Sequence, residues 1–353
     1  MNDGRPFPGR PFPGRSGRTL LVGLLSLVLL IQLAACSRRG ASDEVVVYTS
    51  VDQIFSEPVL RSCEDRLGLR VRAVFDTEET KSTGVLNRLI AEAPNPQADV
   101  FWSGDPVRPF LLMARGLVEP YLSPEASAIP AAFRGLDGSW TGLAARARVL
   151  LINRERMAGA ERPTSIQDLA DPRWRGETAI ANPLFGTTTM HVAALAAAWG
   201  DEAARDFLDR LRDNEVRLAS SNGEVKRLVA TGQVAFGLTD TDDAHVALSE
   251  GLPVEVVYPD QGDLGTMVMP TSVVLMAGAP NPAAGQRLID CLLSAETEQE
   301  LAVSAAHMPL RDDVETPAAV RPVSSLQPMA VDYAEIARSM ERIQPWLRDW
   351  VGL

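Results

Sequence analysis

From residue 44 onward, short apolar runs alternate with amphipathic stretches, and that alternation restricts the chain to sheets covered by helices. Residues 44–48 (EVVVY), 69–75 and 98–102 (ADVFW) read as strands. Residues 83–93 place Leu86, Leu89, Ile90 and Ala93 at helical spacing, and 105–115 is a further helix. Ser56 is placed as a helix cap, with Pro58 in the first turn. Residues 142–153 (GLAARARVLLIN) and 266–277 form two longer connections of strand character. Between them a second alternating run places strands at 177–181, 215–220, 234–239 and 253–258. Its helices are 188–199, 201–212, 224–231 and 242–250, and Thr164 opens a short helix with a capping box. Helices at 282–293 and 296–305 follow, and a tail helix over 329–350 turns Ile336, Met340, Ile343 and Trp346 inward. The economical architecture is two α/β lobes, one built from both chain ends and one inserted, with a ligand cleft at the strand ends between them.

The first 36 residues add a compartment. Arg5, Arg10, Arg15 and Arg18 precede an apolar run from 19 to 35 that ends in Leu33-Ala34-Ala35-Cys36. A basic flank, an apolar middle and small residues before the cut make a secretion signal, and the Cys gives it the look of a bacterial lipoprotein signal. That resemblance implies lipidation of Cys36 and an extracytoplasmic, membrane-tethered protein in the periplasm or at the cell surface. An uncleaved anchor is the alternative, and it exports the same residues. The repeated RPFPG at 5–9 and 10–14 carries no chemistry.

The leader's four Arg and one Asp contribute +3 to a chain of net charge −12, so the exported part carries −15. Such a surface does not grip nucleic acid through phosphates. Cys63 and Cys291 each fall on an apolar helical face and read as free core thiols rather than a disulfide. The three histidines are scattered and no HExxH occurs, which leaves a zinc hydrolase without support. No GxSxG elbow is present either.

Several segments resemble the extracellular solute-binding proteins of ABC importers, in particular the ferric-iron class. They are YTSVDQIFSEPVL, NRLIAEAPNPQADVFW, GLAARARVLLIN, SIQDLADPRWRGETAIANPLFGTT, VAFGLTDTDDA and PAAGQRLIDCLLSAETEQELA, in that order. The resemblance implies a two-lobe, type II periplasmic binding protein fold, with two parallel-type sheets, flanking helices and a two-strand hinge. It divides the chain into a signal (1–35), a tether (36–43), a first lobe (44–145 with 270–310), a second lobe (146–269) and a helical tail (311–353). It implies no catalysis, a permease and ATPase as partners, a monomer, and a captured solute that is ferric iron or a small oxyanion or polar organic molecule. Ferric iron would then be cargo, with Tyr48 and Asp240 as candidate ligands. Many ferric members carry a Tyr-Tyr pair where this chain has Thr239-Asp240-Thr241-Asp242-Asp243, and only four tyrosines occur in all. A sensor on the same fold, or an exported hydrolase, is the alternative function.

Strand ends supply the ligand candidates. In the first lobe these are Tyr48, Thr49, Ser50, Asp52, Asp76, Thr77, Glu78, Ser103 and Gly104. In the second they are Asn182, Gly186, Thr187, Thr188, Ser221, Asn222, Thr239, Asp240 and Asp242, with Arg146 on the first connection. Arg146 and Arg148 alternate along that connection, and one of them is expected to face solvent. Hydroxyls and free N–H groups at helix starts, with an arginine fork, suit an anion. The carboxylates suit a hard cation. Iron with a bridging anion on Arg146 and the 187–188 turn is a mixed form. Ser, Thr and Asp before helices also serve as plain caps.

Overall fold

A computed structural model describes residues 1–5, 9, 44–76, 83–318 and 320–352. The leader's apolar run and Cys36 lie outside the described residues, as do Thr77 and Glu78. The chain divides into Met1–Ser42 and Asp43–Leu353, and every element below belongs to the second unit. Among the described residues no helix is long and apolar enough to cross a membrane.

Among the described residues, ten strands form one continuous hydrogen-bonded array. They are β1 (Glu44–Thr49), β2 (Arg70–Phe75), β3 (Val100–Ser103), β4 (Val118–Glu119), β5 (Thr141–Asn153), β6 (Thr178–Ala181), β7 (Arg217–Ala219), β8 (Phe236–Asp240), β9 (Val254–Val257) and β10 (Val268–Met276). Their order is β2-β1-β3-β10-β5-β8-β6-β7, with β4 on β10 and β9 on β5. Among the described residues ten α-helices accompany them: α1 (Gln53–Leu67), α2 (Thr83–Ala91), α3 (Arg108–Met113), α4 (Gly186–Trp199), α5 (Asp201–Asp213), α6 (Asn222–Ala230), α7 (Thr241–Ser249), α8 (Pro282–Leu292), α9 (Ala295–Ala305) and α10 (Tyr333–Val351).

The sheet is mixed, which corrects the expectation of parallel-type sheets. β1 runs parallel to β2 and β3, and β6 parallel to β7 and β8, as crossover helices require. β10 is antiparallel to β3 and β5, and β5 is antiparallel to β8. An apolar run reports burial and is silent on direction, so the inserted pair β5/β10 was invisible as an antiparallel element. β5 is the shared strand: Thr141–Ala147 pairs with β10, and Arg148–Asn153 with β8 and β9. All thirteen of its residues are buried, which explains its near-continuous apolar sequence.

At the crossing the β5/β10 register shifts between Pro270 and Thr271, because Pro270 has no N–H for the ladder. Ala144 beside it takes φ +40°, a conformation that costs a non-glycine residue about 1–3 kcal/mol. Glu298, fully buried, holds that turn by accepting from the N–H of Ala144 at 2.7 Å and from the N–H groups of Leu310 and Arg311. Burial raises the Glu298 carboxyl above its ordinary range.

Three local expectations shift. Ser56 does not cap a helix: α1 starts at Gln53, and the Ser56 hydroxyl donates to the carbonyls of Val51 and Asp52. Pro58 therefore sits inside α1 rather than in its opening turn. The capping box belongs to Ser165 and Asp168, one residue later than expected, and opens a 3-10 turn over Ile166–Ala170. The two cysteines are not free. Cys63 on α1 and Cys291 on α8 form a disulfide, their Cα atoms 5.9 Å apart. The helical apolar faces that marked them as core are the faces the two helices turn toward each other.

Candidate functional site

Side chains on a strand repeat every two residues. Ala145, Ala147, Val149 and Leu151 of β5 join one core, so Arg146 and Arg148 both point to the opposite face. The expectation that one of them faces solvent fails for that reason: their exposures are 6% and 0%. Buried guanidinium groups need acceptors, and the β8–α7 junction supplies them. Asp240 accepts from Arg148 Nη1 at 2.6 Å and Arg146 Nη1 at 3.2 Å. It also accepts from the Thr187 hydroxyl at 2.8 Å and from Asn222 Nδ2 at 3.1 Å. Asp240 stands at the start of α7 but makes no capping bond, because its oxygens are taken by these donors.

Arg148 also donates to the Thr187 hydroxyl and to Asn222 Oδ1, both at 3.1 Å, and to the Thr188 hydroxyl at 3.2 Å. Arg146 donates to Asp242 at 3.0 Å and to the carbonyl oxygen of Gly104. Burial lowers the Arg146 pKa, but Asp242, Asp240 and Asp52 more than offset it, so the guanidinium stays charged with its pKa raised. Gly104 is required here: a Cβ would lie 2.9 Å from the Ser50 carbonyl oxygen, too close for any side chain.

Beside this network lies a cavity of about 30 Å³, lined by Ser50, Arg146, the 181–182 and 185–188 segments, 220–222 and Asp240. It has room for about two water molecules. Two helices begin at its wall. α4 opens with Gly186 at φ +59°, followed by Thr187 and Thr188, and α6 opens after Ser221. The first N–H groups of a helix have no intrahelical acceptor and carry partial positive charge.

The structure brings together nine of the predicted residues: Ser50, Arg146, Asn182, Gly186, Thr187, Thr188, Ser221, Asn222 and Asp240. Within that set Ser221 also caps α6 through the N–H of Glu224 at 3.1 Å, and Ser50 Oγ accepts from the N–H of Gly104 at 2.9 Å. Others close local turns away from the cavity wall. Thr49 accepts from the N–H of Val51, Ser103 from Asp105, and Asp76 from Val85. The Thr239 hydroxyl donates to the Asn222 carbonyl at 3.3 Å, behind the wall. Asp242 serves Arg146 from outside the lining, with the buried His307 Nε2 at 3.8 Å from it. Burial holds the His307 pKa below its ordinary value. Asp52 immediately precedes α1 and is absent from the lining.

Tyr48 is placed elsewhere. Its hydroxyl donates to Glu92 at 2.9 Å and Arg88 covers its ring at 4.6 Å. Burial, then Glu92, pushes the phenol up to about 12. The other phenols are also committed: Tyr121 to Asp290, Tyr333 to the Val268 carbonyl, and Tyr258 beneath Arg321. Among the described residues no three His, Cys, Asp or Glu side chains converge as a metal site. The sequence reading missed Arg148 as a central side chain, although the spacing of 146 and 148 on one strand face was the signal.

The profile of the bacterial extracellular solute-binding protein family matches residues 95–338. The chain belongs to this family. It is a solute-binding protein and not an enzyme, and it acts outside the cytoplasm as the binding component of an importer. Iron uptake protein A1 of Synechocystis is 26% identical over 283 residues, 77% of each chain. A putative 2-aminoethylphosphonate-binding periplasmic protein of Salmonella typhi is 26% identical over 273 residues, 75% of this chain and 74% of its own. The iron-bound HitA structure of Pseudomonas aeruginosa shares the fold at TM-score 0.79 and 21% identity, covering 88% of this chain and 99% of that one.

Proposed function

We propose that this chain is the lipid-anchored receptor of an ABC importer, tethered through Cys36, and that it captures a small phosphonate-like or other oxyanion between two lobes. The lobes are the halves of the sheet on either side of the β5/β10 crossing, with Ser50 and Gly104 on one side and the α4, α6 and α7 starts on the other. The observation that carries the reading is the pair of buried guanidiniums on one strand, facing two helix starts and three hydroxyls (Thr187, Thr188, Ser221). Guanidinium forks and helix N-termini recognise oxyanions. Asp240 now takes the N–H groups that an anion would use. An entering oxyanion displaces it from one arginine, and the cavity must widen for any solute larger than water. The relative named as a putative 2-aminoethylphosphonate-binding protein favours the same class, since the freed Asp240 would meet that ligand's ammonium group.

Ferric iron is the second reading, favoured by the iron uptake relative. It would use Asp240 with a bridging anion on Arg146 and the 187–188 turn, and no phenolate. Isothermal titration of the purified protein with 2-aminoethylphosphonate, methylphosphonate, phosphate and ferric citrate tests the choice. Saturable binding of a phosphorus oxyanion without iron supports the proposal. Binding of ferric citrate alone, with none of the others, overturns it.

A further inference from the structure

We infer a second ligand site, for a small amphiphilic organic anion, in the cavity between α2, α3 and α10. This cavity measures about 240 Å³ and shares no lining residue with the one beside Arg146. About 150 Å³ of the same kind of space is enough for benzene, so a six-carbon acid fits. Its floor is apolar, made of Leu86, Ile90, Leu111 and Met340.

Its polar rim consists of donors in excess of acceptors. Arg348 is exposed and makes no ion pair or side-chain hydrogen bond among the described residues, and the Asn87 and Gln344 amides are equally uncommitted. Arg108 completes the wall. It is fully buried and paired with Asp105 at 2.7 Å, yet its Nε has no hydrogen-bond partner. The one carboxylate in the lining, Glu341, is held by Arg115 at 2.8 Å. Three guanidiniums around an apolar floor, with a single carboxylate already engaged, leave unspent N–H groups for an acceptor with an apolar body.

The position gives such a ligand leverage. α10 packs chiefly on α4 and is tied to α5 by Arg342–Asp201 at 2.8 Å, while α2 and α3 flank the β1–β3 end of the sheet. Arg108 Nη2 reaches to 3.5 Å from the carbonyl oxygen of Gly186, which lines the first cavity. A bound anion would therefore bridge the C-terminal helix to the opposite end of the sheet.

The test uses hexanoate as probe, hexanol as its uncharged counterpart, and the full protein. Calorimetry is expected to show one saturable hexanoate per chain below about 10 mM, with hexanol at least tenfold weaker, since a charge-assisted hydrogen bond is worth that much. Arg348→Glu and Asn87→Trp alter exposed positions, and unchanged melting shows that both fold. The first should weaken hexanoate at least tenfold, by lost attraction and new repulsion. The second should abolish binding by filling the mouth. Thr188→Val, in the first cavity, should leave hexanoate binding unchanged. The inference fails if hexanoate does not bind, if hexanol binds as well, if Arg348→Glu binds like the native chain, or if Thr188→Val removes binding. The first three outcomes leave the oxyanion reading of the first cavity as it stands, and the last would place a carboxylate in that cavity instead.

Discussion

The two ends of the sheet treat similar residues differently. At the β1–β3 end, Thr49 and Ser103 spend their hydroxyls on their own turns, and Asp105 is consumed by Arg108. Among the described residues, only Ser50 from that end lines the cavity beside Arg146. At the β6–β8 end, Thr187, Thr188, Asn222 and Asp240 turn their polar atoms toward Arg148 and toward one another. On the proposed reading, one end covers the site while the other reads what is in it. Strand-end hydroxyls thus become recognition groups only where a buried cation gathers them.

The sharpest way to break that contrast is Arg148→Ala. It strands a buried Asp240 beside one remaining guanidinium, so it should cost about 3–5 kcal/mol of stability and at least about a hundredfold in oxyanion affinity. Chemical denaturation and calorimetry check both. A variant as stable and as tight as the native chain would remove Arg148 from the centre of the site. Next comes the disulfide, which belongs to the covering end. Cys63→Ser with Cys291→Ser should lower unfolding free energy by about 2–5 kcal/mol and leave ligand affinity in place, as denaturant titration and calorimetry would reveal. Loss of affinity would mean that the covering end also reads the ligand.

Thr187→Val with Thr188→Val should weaken oxyanion binding about thirtyfold, at roughly 1 kcal/mol for each of the two lost hydrogen bonds. Ser50→Ala should weaken it only about twofold, and an equal loss in the two variants would erase the distinction. Smallest is Tyr48→Phe, expected to leave affinity unchanged at neutral pH. Its trace is alkaline. A phenol near 10 when unfolded and about 12 when folded adds stability that is complete below pH 10 and lost between 10 and 12. The variant should flatten that part of the stability curve followed by circular dichroism.

Much of this was legible in the sequence because period and composition are local. The strand of thirteen buried residues, the inward stripe Ile336, Met340, Ile343 and Trp346, and nine cavity residues are set by spacing and by helix starts. What escaped depends on distant partners. Cys63 and Cys291 are 228 residues apart, and nothing near either one announces the other until α1 lies beside α8. Tyr48 stands next to the end of β1, where a cleft ligand belongs, but Arg88 on α2 and Glu92 just beyond it claim its phenol. Strand direction at β10 follows from where the chain returns, which no apolar pattern encodes.

That return has a practical corollary. Ala147 and Val268 are paired neighbours, so the chain departs and comes back through the same doorway. Arg148, both threonines, Asn222 and Asp240 all sit on the excursion between those two positions. On the proposed reading that segment behaves as a cassette: exchanged whole between relatives, it would carry most of the solute preference with it, while Ser50 and Arg146 stay behind in the recipient's frame.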